Sequence, residues 1–126
     1  MRSRSLMAAL AATMFVAAPA AAHPKLVSSQ PSAGSEVSKL TRVSLIFSEK
    51  LVPQFSGFDL MMTGMPGMSN HAPMKIQGYK TEVGADGKSL NAVLPRALPA
   101  GTYELSWHAV AADTHRIEGA FGFSVK

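Results

Sequence analysis

Frequent turn residues divide the chain into short segments, and this division limits the possible folds more than any other feature. Glycine- or proline-containing turns occur at 31–34, 53–57, 84–87 and 95–101. Between them apolar and polar side chains alternate, and no segment has a helical period. Alternation with period two is typical of strands with one buried face. About seven such strands in about 100 residues predict an all-β domain, a small antiparallel sandwich or barrel.

The alternation also predicts the core. Candidate strands cover 42–48, 58–62, 75–83, 89–94, 102–110 and 118–125. Because successive side chains of a strand point to opposite faces, one set from each strand faces inward. The inward set contains Val43, Leu45, Phe47, Tyr103, Leu105, Trp107, Ala109, Phe121, Phe123 and Val125.

The first 22 residues have the layout of a secretory signal. Arg2 and Arg4 precede an uncharged, mostly apolar run at 6–18, and small residues follow. This run is shorter than the roughly 20 residues that span a bilayer. We therefore expect residues 1–22 to be removed on export to the periplasm, and residues 23–126 to form a single domain. Cleavage after Ala22 exposes His23 as the N-terminus, whereas cleavage after Ala20 leaves two alanines in front of it.

The net charge and the lack of cysteine limit the partners and the metal ligands that this chain can have. The whole chain has a formal charge of +4, and loss of Arg2 and Arg4 reduces it to +2 with scattered bases. This charge is too small to indicate a nucleic-acid partner. The chain has no cysteine. A soft-metal site would therefore use methionine, which forms no disulfides in an oxidising compartment.

Residues 62–74 concentrate sulfur ligands in a segment that glycine and proline keep from being helical. The candidate ligands are Met62, Met65, Met68, His71 and Met74. Thioethers are soft ligands that suit Cu(I) and suit Zn²⁺, Mg²⁺ or Ca²⁺ poorly, and His71 adds a nitrogen donor. The alternative is a loop whose flexible methionines fill a gap in the core. The pattern favours the metal site.

His23, Asp113 and His115 are a second candidate set. A free N-terminal His23 offers its α-amine and its imidazole, and Asp113 and His115 lie on the same side of an extended segment. Together these groups supply four nitrogen and oxygen donors, which suit Cu(II). Taken singly, each of the three is better explained without a metal, Asp113 as a turn residue that caps backbone amides. Glu49 is a candidate acceptor for the second N–H of a ligating imidazole.

The chain resembles the CopC/PcoC family of periplasmic copper-resistance proteins over nearly all of residues 23–126. The resemblance rests on motifs that begin at His23 (His-Pro-Lys-Leu), at Phe47 (Phe-Ser-Glu-Lys-Leu-Val), at Phe55 (Phe-Ser-Gly), at Ala100 (Ala-Gly-Thr-Tyr) and at Trp107 (Trp-His-Ala-Val), together with the methionine segment 62–74 and Asp-Thr-His at 113–115. It implies a cupredoxin-like, Ig-like Greek-key β-barrel with copper sites at opposite ends, and cleavage after Ala22. It assigns Cu(II) to His23, Asp113 and His115, and Cu(I) to Met62, Met65, Met68, His71 and Met74.

Arg116 departs from the family pattern, in which proline commonly follows Asp-Thr-His. Its positive charge beside the Cu(II) ligands is expected either to weaken copper binding or to pair with Asp113. Met68 and His71 are separated by two residues, whereas some family members have one, and this spacing changes the expected geometry at the histidine.

The leading hypothesis is a monomeric periplasmic copper carrier for resistance or homeostasis. It is expected to hold both copper oxidation states and to exchange copper with an inner-membrane transporter or a periplasmic copper protein. One alternative is an oxidative enzyme with an N-terminal histidine copper centre. Asp113 in the copper plane and the lack of an aromatic platform argue against it. We therefore expect the protein not to be an enzyme. The other alternative is a secreted β-sandwich used for protein contacts.

Overall fold

The computed structural model describes residues 12–13, 23–68 and 72–126. Apart from Ala12 and Thr13, the predicted signal segment lies outside the described residues, and so do Ser69, Asn70 and His71. Within the described part, no helix has the length and apolar character needed to cross a bilayer.

The described chain is almost entirely β-structure, which confirms the all-β prediction. Its elements are β1 Leu26–Gln30, β2 Glu36–Val37, β3 Arg42–Phe47, a 3₁₀ turn Pro53–Phe55, β4 Gly57–Gly64, β5 Met74–Lys75, β6 Glu82–Val83, β7 Ser89–Val93, β8 Gly101–Val110 and β9 Arg116–Val125. Two sheets form, with strand orders β1-β3-β7-β6 and β2-β9-β8-β4-β5. Three of the nine strands are only two residues long.

The five-stranded sheet is built around β8. Along all ten residues, from Gly101 opposite Val125 to Val110 opposite Arg116, β8 pairs antiparallel with β9. On its other side β8 pairs with β4, from Thr102 opposite Gly64 to His108 opposite Gly57. β8 therefore has a partner along both edges, and its two ends mark the two ends of the domain.

The predicted core set lies between the two sheets. Most of its members are buried: Val43, Leu45, Phe47, Tyr103, Leu105, Ala109, Phe123 and Val125. Trp107 and Phe121 are half-buried and pack against this core. Trp107 meets Phe47 edge to face, with ring centroids 5.1 Å apart. The period-two pattern thus identified the buried faces of β3, β8 and β9.

The candidate strand at 75–83 was wrong as a single element. Its first residue belongs to β5 in one sheet and its last two to β6 in the other. Gly78, with φ of +86°, lies in the crossover between them. Tyr79 anchors this crossover, because its hydroxyl accepts a hydrogen bond from the Leu60 N–H at 2.9 Å. Burial raises the pKa of the Tyr79 phenol above its ordinary value.

β1 was not predicted, because a bulge interrupts it. Its register against β3 shifts between Leu26 and Ser28, and Val27 is exposed. A bulge adds a residue to one strand and breaks the alternation of side chains. The sequence of β1 consequently lacks the period-two signal on which strand prediction relies.

Gly119 and Gly122, both in β9, form a matched pair for testing the packing of Trp107. A Cβ on Gly119 would overlap the indole ring, whereas a Cβ on Gly122 would lie 3.5 Å from the Tyr103 carbonyl oxygen, an ordinary contact. We expect Gly119→Ala to lower the free energy of unfolding by about 1–3 kcal/mol, because overpacking displaces Trp107. Gly122→Ala should leave it unchanged or raise it by about 0.5 kcal/mol. Urea unfolding followed by the fluorescence of the single tryptophan measures both, and equal losses would contradict this account.

Candidate metal centres

Residues from the beginning and from near the end of the domain's sequence meet in one polar cluster, which consists of His23, Asp113 and His115. The Nδ1 atom of His23 lies 3.2 Å from Asp113 Oδ2, and the Nδ1 atom of His115 lies 3.4 Å from the same oxygen. The two imidazoles are stacked, with centroids 5.2 Å apart. Possible ligand atoms of all three residues lie within 4.8 Å of one another. The structure therefore brings together all three side chains of the predicted nitrogen and oxygen set.

The segment after His23 is anchored on both sides. Pro24 is fully buried. The Lys25 N–H donates to Ser48 Oγ at 3.0 Å, and the Ser48 N–H donates to the Lys25 carbonyl at 2.9 Å. Ser48 directly follows β3, so the end of the inner strand β3 holds residues 24–25 and aims His23 at Asp113. Sequence reasoning missed this role of Pro24 and Ser48, because no local pattern connects Lys25 with Ser48, 23 positions away.

A tight turn places Asp113 beside His115. The Thr114 N–H donates to the Ala111 carbonyl at 2.9 Å, and Thr114 has φ of +66°. Asp113 Oδ1 accepts a hydrogen bond from the His115 N–H at 3.1 Å. The expectation of an extended 113–115 segment was wrong, since the two side chains converge through a turn. Asp113 both caps this turn and points its second oxygen at the two imidazoles.

The spacing of these groups fits one metal ion. Donor atoms that bind one first-row ion at about 2.1 Å lie roughly 3–4 Å apart. The two nitrogen–oxygen distances are already 3.2 and 3.4 Å. Two imidazoles and a carboxylate, with an α-amine if residue 23 is the N-terminus, are donors that suit Cu(II). The imidazole side chains are 48% and 69% exposed, so an incoming ligand can reach both.

Neither Arg116 nor Glu49 forms a side-chain hydrogen bond or ion pair with the cluster among the described residues. Arg116 Nε donates to Glu118 Oε1 at 2.7 Å, so the arginine pairs with Glu118 and not with Asp113. Glu49 is half-buried, and among the described residues no hydrogen bond joins it to His23 or His115. The proposed role of Glu49 as an acceptor for a ligating imidazole remains a prediction.

The methionine segment forms a hairpin. Met62 in β4 is opposite Met74 in β5. At the tip, Met65 and Met68 exchange two backbone hydrogen bonds, of 3.0 and 2.9 Å, around Pro66 and Gly67. Proline at the second position of a turn and a glycine with φ of +79° at the third are typical of type II geometry. In its described parts, 62–68 and 72–74, the segment is thus non-helical as predicted, although its first and last methionines belong to strands.

Burial separates the four thioethers into two kinds. Met65, Met68 and Met74 are exposed, whereas Met62 is 6% exposed and belongs to the core. A Cβ on Gly101 would lie 2.7 Å from Met62 Cε, which shows how closely the backbone packs on it. Met62 therefore fills a gap in the core, as the alternative interpretation held for the whole segment. His71 lies outside the described residues.

The two candidate centres lie at opposite ends of β8. The turn that carries Asp113 follows its last residue, Val110, and the methionine hairpin leaves β4 opposite its second residue, Thr102. At about 3.3 Å per residue, these ends are roughly 30 Å apart. Ions at the two ends would consequently interact very weakly, since salt screens charges beyond roughly 10 Å.

Comparisons with known proteins agree over the whole domain. Residues 26–126 match the model of the CopC domain family. Copper resistance protein C of Escherichia coli is 50% identical over 113 residues, 90% of this chain and 89% of that protein. Copper resistance protein C of Pseudomonas syringae pv. tomato is 48% identical over 122 residues, 97% of this chain and 95% of that protein. The crystal structure of PcoC, a methionine-rich copper resistance protein from Escherichia coli, superposes with a TM-score of 0.75 at 47% identity, covering 83% of this chain and all of PcoC.

Ser48 tests whether the anchored segment orients His23. In a chain that begins at His23, Ser48→Ala should weaken Cu(II) binding about three- to tenfold, because one hydrogen bond that holds residue 25 is lost. Ser44→Ala is the control, since Ser44 Oγ of the same β3 strand bonds Asn91 instead. Competition titration against a Cu(II) chelator gives the two affinities. Equal affinities would mean that Pro24 and the remaining hydrogen bond from the Ser48 N–H to the Lys25 carbonyl are enough to orient His23.

Proposed function

The chain belongs to the CopC domain family, and on this basis we propose that it is a periplasmic copper-binding protein of copper resistance or homeostasis. In this proposal the chain is exported, cleaved after Ala22 and monomeric. It carries copper as cargo and catalyses no reaction. It passes copper to an inner-membrane copper transporter or a periplasmic copper protein.

The observation that carries the proposal is the convergence of His23 and His115 on one oxygen of Asp113. His23 and Asp113 are ninety residues apart in the sequence. No packing requirement of an exposed surface explains why three ionisable groups should meet there, whereas a shared metal ion does. Their donor types support Cu(II) as that ion.

The second part of the proposal assigns Cu(I) to the methionine hairpin. Met65, Met68 and Met74 present exposed thioethers within a single hairpin, and His71 completes the predicted set. Soft sulfur donors favour Cu(I) over Cu(II). Met62 remains in the set as predicted, but its sulfur would have to leave the core to reach an ion at the hairpin tip.

For the Cu(II) site, we expect Asp113→Asn and His115→Ala to weaken binding by more than about 100-fold, since even partners behind the ligands contribute 10–100-fold. An extra alanine in front of His23 should weaken it similarly by removing the amine donor. His108→Ala is the matched control, because His108 lies on β8 outside the cluster. Chelator competition measures affinity, and electron paramagnetic resonance counts coordinated nitrogens. Unchanged affinity in Asp113→Asn and His115→Ala would reject the site.

For the Cu(I) site, Met68→Leu should weaken binding about tenfold or more, because an exposed soft ligand is replaced by an apolar side chain of similar size. Met62→Leu should have a smaller effect because of its burial, and Met61→Leu, outside the pattern, serves as the control. Anaerobic competition with a chromophoric Cu(I) chelator measures all three. Equal losses for Met62→Leu and Met68→Leu would mean that Met62 leaves the core to bind. No loss on replacing Met65 and Met68 together would reject the sulfur site.

A further inference from the structure

An apolar groove opens beside the methionine hairpin. Its volume is about 550 Å³, and it lies between residues 75–78, which follow Met74, and residues 94–99, which precede β8. Ile76, Leu94 and Leu98 line it, and all three contact the core. Proline side chains and the aliphatic stems of charged residues surround this apolar lining. The groove therefore leads from solvent to the core at the end of the domain that carries the exposed thioethers.

Backbone hydrogen bonds hold both walls in place. On one wall the Ile76 N–H donates to the Leu60 carbonyl at 2.9 Å. On the other, Leu94 and Leu98 donate to the carbonyls of Thr41 and Leu40, at 2.8 and 3.1 Å. Because both walls are tied to neighbouring strands and loops, the groove is formed before any ligand arrives. A preformed groove costs little ordering entropy on binding.

The rim of the groove is cationic. Lys75 and Arg96 line it, and no carboxylate does so among the described residues. Lys75 Nζ lies 3.4 Å from Asp59 Oδ1, but both side chains are more than half exposed, and such pairs are weak. Arg96 forms no ion pair within the part of the chain that the structure describes. An apolar lining between two cations complements a ligand that has apolar side chains flanked by carboxylates.

The position of the groove indicates an extended ligand. Residues 74–75 form β5, the edge strand of the five-stranded sheet, and Met74 is 54% exposed. Edge strands accept an additional extended chain through main-chain hydrogen bonds. A segment that lies along residues 74–78 would reach Met74 and the hairpin tip. A ligand in the groove would therefore lie next to the thioethers and affect how other molecules reach them.

We propose that this groove docks an acidic, extended segment of the protein with which the chain exchanges Cu(I). The inference rests on the proposed function, because it names the kind of partner that uses the methionine site. Carboxylates of that segment face Lys75 and Arg96, and its apolar side chains fill the space above Leu94 and Leu98. Docking places the partner next to Met74, where its own ligands can replace thioethers one at a time.

The test uses metal-free protein that begins at residue 23 and a short peptide with Leu-Met at its centre flanked by Glu and Asp. In ¹H–¹⁵N NMR titrations, we expect shifts at the amides of Ile76, Gly78 and Ala97. A matched peptide in which Gln and Asn replace the acids should bind about fivefold more weakly. Raising the salt from about 10 to about 150 mM should weaken binding of the acidic peptide alone, because exposed charges are screened.

Matched variants identify the cations. Arg96→Ala should weaken binding of the acidic peptide about threefold or more. Lys88→Ala should leave binding of this peptide unchanged. Lys88 is an exposed base at the far end of the domain, where its carbonyl accepts a hydrogen bond from the Phe47 N–H. Both variants should bind Cu(I) like the unmodified protein. If the acidic peptide does not bind in the groove while Cu(I) binding is intact, this inference alone is rejected. If the unmodified protein binds no Cu(I), the proposed function is rejected.

Three outcomes overturn the inference. Equal binding of the acidic and neutral peptides would make the groove a general apolar site. Shifts confined to other surfaces would place the docking site elsewhere. Shifts of the same amides with protein concentration alone would identify a second copy of the chain as the occupant.

Discussion

The ten-residue antiparallel pairing of β8 with β9 is the interaction on which the rest of the structure depends. It forms the centre of the larger sheet, supplies the inward side chains Tyr103, Leu105 and Phe123, and ends in the turn that carries Asp113 and His115. β8 has a paired strand on both sides, β9 along all ten residues and β4 from Thr102 to His108, so its direction is fixed within the sheet. The separation of the two candidate centres is therefore a property of the sheet.

The two centres are assembled in different ways. The cluster of His23, Asp113 and His115 depends on long-range contacts, among them the buried Pro24 and the bonds of Ser48. The methionine hairpin is local, since its ligands come from thirteen consecutive residues around one turn. In the proposed function, the cluster whose geometry the fold fixes is the one assigned to Cu(II), and the local hairpin with exposed, flexible thioethers is the one assigned to Cu(I).

The success of sequence reasoning depended on whether a feature was periodic or local. The inward residues of β3, β8 and β9 followed from alternation, because a pleated strand has a fixed period of two. The non-helical character of the chain around Pro66 and Gly67 followed from residue type. β1 and the split of 75–83 did not follow, because a bulge and a crossover both break the period. The burial of Met62 was also missed, since the methionine pattern was interpreted as a single loop although β4 extends to Gly64.

The sequence by itself determined an all-β fold, the inward residues of β3, β8 and β9 and the chemical kinds of ligand it offers. These are properties of side-chain type and short spacing, which act locally on the backbone. Only the tertiary structure decided that His23 meets Asp113, that Arg116 pairs with Glu118 and that Met62 faces inward. Each of these depends on strand register and on packing between segments far apart in the chain. Such contacts form only when burial of the common core offsets the entropy of closing the intervening loops.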